Sequence, residues 1–469
     1  MAGQRLPHRR KRFTCALLGV HKLPHMSPIK RFLWIFLLAL SALWWLTDTT
    51  EWAALPHFFA WRAVLMQYSG VLGIGVMSVA MGLALRPVWL EPSLGGLDKM
   101  YRLHKWLGIA GLVLAVSHWL LAQGTKWAVG LGWLARPVRG PRPVLPEGSV
   151  QQWLSTQRGW AEGLGEWAFY AAALLMVLAL VKRLPYRWFF KTHHFIAVAY
   201  LALVAHSVVL MKFEYWATGL GLVMALLMAG GSYAAVRVLL GRVGAHRQVA
   251  GQITTVHTLP DLNVLKVDAQ LQPGWPGHKA GQFAFVSLHK GEGAHPFTIT
   301  SAWGGDGHLG FIIKGLGDYT DTLAQRVRVG DAITVEGPYG RFDFQGTPRR
   351  QIWVGGGIGI TPFVARMREL AEHGDGKAID LFHTTTVLDP QAMALLAADA
   401  QAAGVTLHVF HDSRDGLLTA SRVVSQVPAW QEADVWFCGP AGFGQALKSG
   451  LVALGLPSGR FHQELFEMR

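Results

Sequence analysis

Two hydrophobic textures divide the chain. In its first half, apolar residues run almost unbroken over 31–47, 63–85, 104–122, 164–181, 193–211 and 218–240. Each run approaches the roughly 20 residues that a helix needs to cross a bilayer, so six transmembrane helices are expected. From residue 249 the texture changes to short alternating segments, Val264 to Val267, Phe283 to Leu288, Phe311 to Ile313 and Ala332 to Glu336, set off by Gly, Pro and Asp. That pattern predicts a small antiparallel barrel. From Gln351 strands alternate with helices: Ile352 to Val354, a glycine-rich turn, a helix from Pro362 to Glu372, Ile379 to His383, a second helix, and Thr406 to Phe410. Such alternation predicts a parallel sheet with a nucleotide at the carboxyl ends of its strands. The expected fold class is a membrane α-helical bundle of six transmembrane helices, followed by a cytosolic β-barrel and an α/β parallel-sheet nucleotide-binding domain. The expected boundaries are a basic tail over 1–30, the bundle over 31–245, the barrel over 249–345 and the nucleotide-binding domain over 347–469. No internal repeat is visible.

Composition agrees with this division. Of the 469 residues 51% are hydrophobic and only 15% charged, against roughly 25% in soluble domains. A disordered chain is excluded, and a wholly soluble one is not expected. The net charge of +14 would suggest nucleic acid, but residues 1–247 hold 26 Lys and Arg against 8 Asp and Glu, while the remaining 222 hold 17 against 21. The positive charge belongs to the membrane half, where it sets orientation, and no nucleic-acid partner is expected. Arg9 to Arg12, Lys30 and Arg31 precede the first span; Arg86, Lys99 and Arg102 separate the second and third; Lys182, Arg183, Arg187 and Lys191 separate the fourth and fifth. The positive-inside rule puts all of these in the cytoplasm, together with the N-terminus and the soluble half. The segment 123–163, with Lys126, Arg136, Arg139, Arg142 and Arg158, falls outside and is the one discordant loop. The stretch Phe32 to Leu46 has no obvious small-residue cleavage site, so it reads as an uncleaved first helix rather than a signal peptide. Two cysteines, Cys15 and Cys438, allow neither a disulfide framework nor a thiolate metal cluster.

Four histidines stand inside the apolar runs. His104 and His118 share the third span, 14 residues apart, which is about 21 Å along a helix and about 40° around it. The fifth span repeats the arrangement with His193 or His194 near its cytoplasmic end and His206 deeper. Polar side chains at membrane depth are costly and mark function, and neutral imidazole is a haem ligand. An inner pair, His104 with His193, and an outer pair, His118 with His206, would hold two haems in series. Thirteen residues turn a regular helix by about 140° from the same face, so either the fifth span is kinked or overwound, or His194 is the ligand; His193 is the preferred reading. The alternative is hydrogen bonding across the bundle. His57 and the tail histidines His8, His21 and His25 have no such partner. Gly108 and Gly111 give room for a porphyrin or for close helix packing.

The soluble half carries three motifs. His295-Pro296-Phe297-Thr298-Ile299-Thr300-Ser301 combines an aromatic with alternating hydroxyls that can stack on a flavin and bond its edge. The turn containing Lys314, Gly317 and Thr320 offers backbone N–H groups and a cation to a pyrophosphate. Gly355-Gly356-Gly357-Ile358-Gly359-Ile360-Thr361-Pro362 follows a strand and opens a helix, the setting of a dinucleotide phosphate loop, although its spacing departs from G-x-G-x-x-G. Cys438-Gly439-Pro440 ends a late strand on the same sheet edge, so that Cys438 is either a buried packing residue or a thiol beside the nicotinamide.

From residue 31 onward the chain resembles the ferric reductase and NADPH oxidase superfamily in its bacterial single-chain form. The resemblance rests on the two histidine pairs, His295 to Thr298, Gly337-Pro-Tyr-Gly340, Gly355 to Pro362 and Cys438 to Pro440. It implies FAD at His295 to Ser301, NADPH or NADH at the glycine loop, and two b-type haems on the four histidines. It also implies a C-terminal aromatic, here Phe466, that covers the flavin until nicotinamide displaces it; Glu467, Met468 and Arg469 follow it, where relatives end at or just after the aromatic. Electrons would pass from NAD(P)H through FAD and both haems to an acceptor on the far side of a bacterial inner membrane. Dioxygen, giving superoxide, is the leading acceptor, and ferric iron is the alternative. Arg62 either pairs with haem propionates or the acceptor, or snorkels to the interface. Arg414 would clamp a 2′-phosphate and favour NADPH, whereas Asp389 would accept from a free ribose. The lipid bilayer is the expected partner, with no obligatory protein partner. A membrane anchor for a soluble flavin reductase, or a haem subunit docking a periplasmic enzyme through 123–163, are the readings from other classes.

Overall fold

A computed structural model describes residues 28–50, 55, 57–135, 144–181, 186–288 and 293–464. The basic tail with Cys15, His8, His21 and His25 lies outside the described residues, as do Arg136, Arg139 and Arg142. Among the described residues, six spans are long and apolar enough to cross a membrane. They are α1 Pro28–Thr47, α2 Phe58–Ala84, α3 Leu97–Trp119, α4 Arg158–Leu180, the joined pair α5 Tyr186–His194 and α6 Ile196–Leu210, and α7 Gly219–Leu239. Several start before their apolar runs, because every backbone N–H near hydrocarbon must close an intrahelical bond whatever its side chain. The helix α2 is the hub: 67% of its apolar window is buried, against at most 28% in any other span. The remaining spans turn apolar side chains such as Trp34, Leu38, Val113 and Leu226 outward, where lipid is as good a solvent as a core. Polar glue holds the interior: Ser78 Oγ lies 2.8 Å from Tyr200 Oη, and Ser41 Oγ 2.9 Å from Tyr68 Oη.

The soluble half begins with β1 Gln248–Leu259, β2 Val264–Leu271, β3 Phe283–Ser287, β4 His295–Thr298, β5 His308–Lys314 and β6 Ala332–Tyr339. They form an antiparallel sheet of order β4-β3-β6-β1-β2-β5. A bridge between Ile299 and Phe311 joins its two edges, so the sheet closes into a barrel around Val267, Ala284, Phe311 and Val335. The segment His295–Thr298 is itself a strand, β4, paired antiparallel with β3. Beyond lie β7 Arg350–Gly356, α8 Thr361–Glu372, β8 Ala378–Thr385, α9 Pro390–Ala402, β9 Thr406–His411, β10 Asp434–Cys438, α10 Ala441–Ala453 and β11 Phe461–Gln463. Their parallel sheet runs β11-β10-β7-β8-β9, so the strand order reverses between β7 and β10, the crevice where such sheets bind nucleotides.

A polar seam joins the bundle to the barrel. Arg86, just past α2, places Nη1 2.5 Å from Glu336 Oε1 of β6, and its guanidinium lies 3.9 Å over the Phe285 ring. Tyr339 Oη donates to the same carboxylate at 2.7 Å, Gln248 Nε2 donates to its other oxygen at 3.2 Å, and Tyr101 Oη accepts from Arg86 Nε at 3.1 Å. Arg247 Nη2 donates to Pro338 O at 2.7 Å. Arg86 takes a left-handed backbone conformation, φ 56°, which costs a non-glycine residue roughly 1–2 kcal/mol. The pair is 15% and 4% exposed, and removing one member of so buried a pair costs about 3–5 kcal/mol because the other charge is stranded. We therefore expect Glu336→Ala to lower the thermal midpoint and expose the 242–247 connection to protease, and Arg86→Glu with Glu336→Arg to recover part of the loss.

Candidate functional site

The four histidines form two facing pairs in one column of the bundle. The rings of His104 and His193 have centroids 5.8 Å apart, and those of His118 and His206 lie 6.3 Å apart. Three have Nδ1 anchored: His104 to Ala80 O at 2.9 Å, His206 to Ala161 O at 2.8 Å, and His118 to Ser69 Oγ at 3.0 Å. An Nδ1–H that donates to a carbonyl fixes the tautomer and leaves Nε2 as a lone-pair donor. The fifth span breaks at Phe195, whose N–H bonds back to Thr192 O at 3.1 Å, three residues away. That break separates α5 from α6, and His193, on α5, faces His104. His194 makes no ring contact with either.

Small residues let the outer pair form. A Cβ on Gly165 would overlap the His206 ring, and one on Gly70 would stand 3.4 Å from His118 Cε1. Gly111 packs against Met77, while Gly108 faces open space. Beyond His118 a π-helical turn, Leu120–Gly124, interrupts the third span. Arg62 Nε donates to its Leu121 O at 2.7 Å, so this arginine is tied to the backbone beside the outer pair. Gly165, Ala80 and Ala161 were invisible as site residues, because each acts through a neighbour distant in sequence.

In the barrel, His295 stacks on Tyr319 at 4.0 Å. Pro296 and Phe297 are half-buried and Thr298 and Thr300 buried; among them Thr300 Oγ1 has no hydrogen-bond partner. Ser301 Oγ accepts from Gly310 N at 3.1 Å, so it serves the barrel wall. Lys314 ends β5, Gly317 is open to solvent, and Thr320 Oγ1 closes the loop by accepting from Leu316 N at 2.9 Å. Arg368 of α8, unnoticed in the sequence, donates to Thr300 O at 3.0 Å and ties the two soluble domains together.

At the crevice, Gly355 and Gly356 end β7, Gly357 takes φ +56°, and Gly359 and Ile360 lead into α8 with Thr361 and Pro362 in its first turn. A Cβ on Gly359 would overlap Cys438 O, and one on Gly356 would stand 3.0 Å from Pro440 Cδ, so these glycines let the glycine-rich loop meet Cys438-Gly439-Pro440. Cys438 is fully buried, and burial pushes its thiol well above the usual range. His383 of β8 points Nδ1 at Gly355 O, 3.3 Å away, and burial lowers its pKa to about 4. Arg414 is exposed in the Asp412–Asp415 turn after β9, where Asp415 accepts from its Nε and Nη2 at 3.0 and 2.8 Å. Asp389 caps α9 by accepting from Ala392 N at 2.7 Å, which engages the carboxylate that the ribose reading would need. Phe466 lies outside the described residues.

Residues 69–204 match the family described as ferric reductase like transmembrane component, and residues 248–343 match the FAD-binding domain family. The chain thus joins a ferric-reductase-like transmembrane component to an FAD-binding domain, and as such it is an integral membrane protein carrying a flavin-binding domain. It is 29% identical over 224 residues to respiratory burst oxidase homolog protein E of Arabidopsis thaliana, covering 41% of this chain and 22% of that protein. It is 28% identical over 217 residues to a flavohemoprotein of Bordetella pertussis, covering 41% of this chain and 53% of that protein. The chain thus spans about half the length of that relative. Among solved structures, a flavohemoglobin from Malassezia yamatoensis aligns at 16% identity and TM-score 0.45, over 86% of this chain and 98% of that one.

Two outcomes test the crevice. Gly359→Ala should weaken nucleotide binding by tenfold or more in equilibrium titration, since its clash is with backbone that has nowhere to move. Cys438 should resist a maleimide at pH 8 until the protein is unfolded, because only a thiolate reacts and burial keeps the thiol protonated.

Proposed function

We propose that the protein carries electrons from cytosolic NADPH, through FAD and two b-type haems, to dioxygen on the far side of a bacterial inner membrane. The observation that carries this reading is the column of two facing histidine pairs standing above a docked flavin barrel. The site residues fit the groups. The facing rings of His104 with His193 and of His118 with His206, centroids 5.8 and 6.3 Å apart, are the residues that would hold one haem iron per pair. Thr300 Oγ1, buried without a partner on the flavin strand, is the polar atom that a flavin edge would satisfy.

Bound flavin supplies the conversion of one hydride into two single electrons, and each haem supplies a one-electron station. The chain's own residues supply distance and direction. Gly355 to Gly359 and the first turn of α8 hold the nucleotide's phosphates, Gly439 and Pro440 floor the crevice beside Cys438, and Arg414 offers the free face of its guanidinium to a 2′-phosphate. Thr298 and Thr300 orient the flavin ring. The carbonyls of Ala80 and Ala161 and the hydroxyl of Ser69 hold His104, His206 and His118 in the tautomer that presents Nε2 inward. Overall, NADPH and two dioxygen molecules give NADP⁺, one proton and two superoxide ions. Ferric iron uses the same path with a different terminal acceptor.

The test is haem content and anaerobic reduction by NADPH. We expect two haems per chain, reduced in sequence after the flavin, with dismutase-sensitive superoxide once air is admitted. His206→Ala and Gly165→Val should each remove one haem, His193→Ala the other, and His194→Ala neither. Haem reduction without superoxide would shift the acceptor to ferric iron, and a haem-free protein would overturn the assignment of all four histidines.

A further inference from the structure

Three units meet at Gly340: the membrane-side loop after α2, the end of β6, and the segment leaving β11. Two buried carboxyls flank that one glycine. Glu91, in the short helix Glu91–Leu94, accepts from Gly340 N with Oε2 at 3.3 Å, while its Oε1 has no partner. Glu464 places Oε1 3.4 Å from the position of a Cβ on Gly340, and its Oε2 has no partner. Both residues are only 4% exposed, and among the described residues neither makes an ion pair. Two orphaned carboxyl oxygens in one buried seam are a costly arrangement unless a proton or a ligand satisfies them.

The charged surroundings come from every neighbouring element. Arg247, Arg341 and Asp98 act on Glu91; Asp98, Lys99 and Glu91 act on Glu464, which in turn acts on the Cys438 thiol. Burial raises Glu91 to about 7 and Glu464 well above the carboxylate range, and the negative charges of Asp98 and Glu91 push Glu464 further in the same direction. The flavin side is near, because Tyr339, next to Gly340, pairs with Phe283 of β3, which pairs in turn with Thr298. The nicotinamide side is also near, because Glu464 N donates to Phe437 O at 3.4 Å, one residue before Cys438. An opening to solvent exists in the opposite direction. Buried Asp98 lies 3.5 Å from Lys99 Nζ, and that side chain is 32% exposed.

We propose that Glu91 and Glu464 form a shared-proton site across Gly340, which passes the proton left behind by nicotinamide oxidation out to cytosolic solvent by way of Asp98 and Lys99. The inference rests on the proposed electron path. When the C4–H bond of the nicotinamide breaks, a hydride leaves; its two electrons depart singly across the membrane, and one proton per NADPH stays on the near side. The pair holds one proton between two carboxylates. It takes the new proton on one oxygen and releases the old one from another toward Asp98, so it ends each turnover as it began, with no net change in charge or electrons.

The full-length, cofactor-loaded protein tests this through two readouts. Without any electron donor, infrared spectroscopy at pH 6 should show the carbonyl stretch of a protonated buried carboxyl, shifted in D₂O and reduced in both Glu91→Gln and Glu464→Gln. Glutamine keeps the acceptor for Gly340 N–H, so the fold is preserved. In stopped-flow, Glu91→Gln should leave flavin reduction by NADPH within about twofold. It should slow flavin reoxidation by the haems about tenfold or more, in the range of a lost acid–base group, and should abolish the pH dependence near 7 and the solvent isotope effect of that step. Both variants keeping the wild-type band, pH profile and isotope effect would overturn the proposal. A wild-type flavin that NADPH reduces but the haems never reoxidise would overturn the electron path, and the relay with it, while the donor-free infrared band reports separately on the carboxyl pair.

Discussion

The buried ion pair between Arg86 and Glu336 is the contact on which the arrangement of this protein depends. The proposed electron transfer demands that a soluble flavin domain meet the end of a membrane bundle at one fixed place, and the apolar cluster that joins Leu94, Leu97 and Met100 to Phe283, Phe285 and Tyr339 holds the two together without setting a direction. A charge pair at 2.5 Å, shielded by Phe285 and completed by Tyr339, Tyr101 and Gln248, supplies direction as well as attraction. Buried pairs are better at specifying geometry than at adding stability, since desolvation consumes much of their Coulomb energy. Here specification is what function requires, and the strained backbone of Arg86 fits the same view: local conformational energy is spent to aim one side chain at its partner.

Depth in the membrane imposes a second constraint. Imidazole in a hydrophobic bundle must be held neutral and pointed, and the bundle does this with the only donors and acceptors available to it. Helix carbonyls at Ala80 and Ala161 and the hydroxyl of Ser69 accept from the outer-facing nitrogens, which is possible because residues of small volume bring the backbones close. Glycine at 165 matters for that reason more than for flexibility. The break at Phe195 bears on phase: a regular helix cannot present residues 13 apart to the same neighbour, and here the two histidines stand on separate helical segments, α5 and α6.

Much of this was legible in the sequence, and the reason differs from feature to feature. The spans could be read because burial in lipid leaves long apolar runs, and the strands because alternation follows the pleat. The histidine pairs could be read because 14 residues nearly close an integral number of turns. The preference for His193 over His194 holds only if the fifth span is kinked or overwound, and the break at Phe195 is a feature that neither histidine encodes. Gly165, Glu91, Glu336 and Glu464 were equally hidden: each draws its meaning from a partner far away in the chain, and nothing in a glutamate's immediate neighbours announces that it will be buried. The Arg414 and Asp389 alternatives show the converse, where two plausible residues were visible and the structure finds each already partnered, one with Asp415 and the other with the first turn of α9.

On the proposed path, electrons cross the bilayer within this one chain. Reconstitution into sealed vesicles with the dehydrogenase domain facing outward, and a membrane-impermeant one-electron acceptor trapped inside, tests it most directly. NADPH added outside should reduce the trapped acceptor, and disruption of the outer histidine pair should stop that reduction while leaving flavin reduction intact. Reduction confined to an acceptor added outside, with the trapped one untouched in the wild-type protein, would contradict the account.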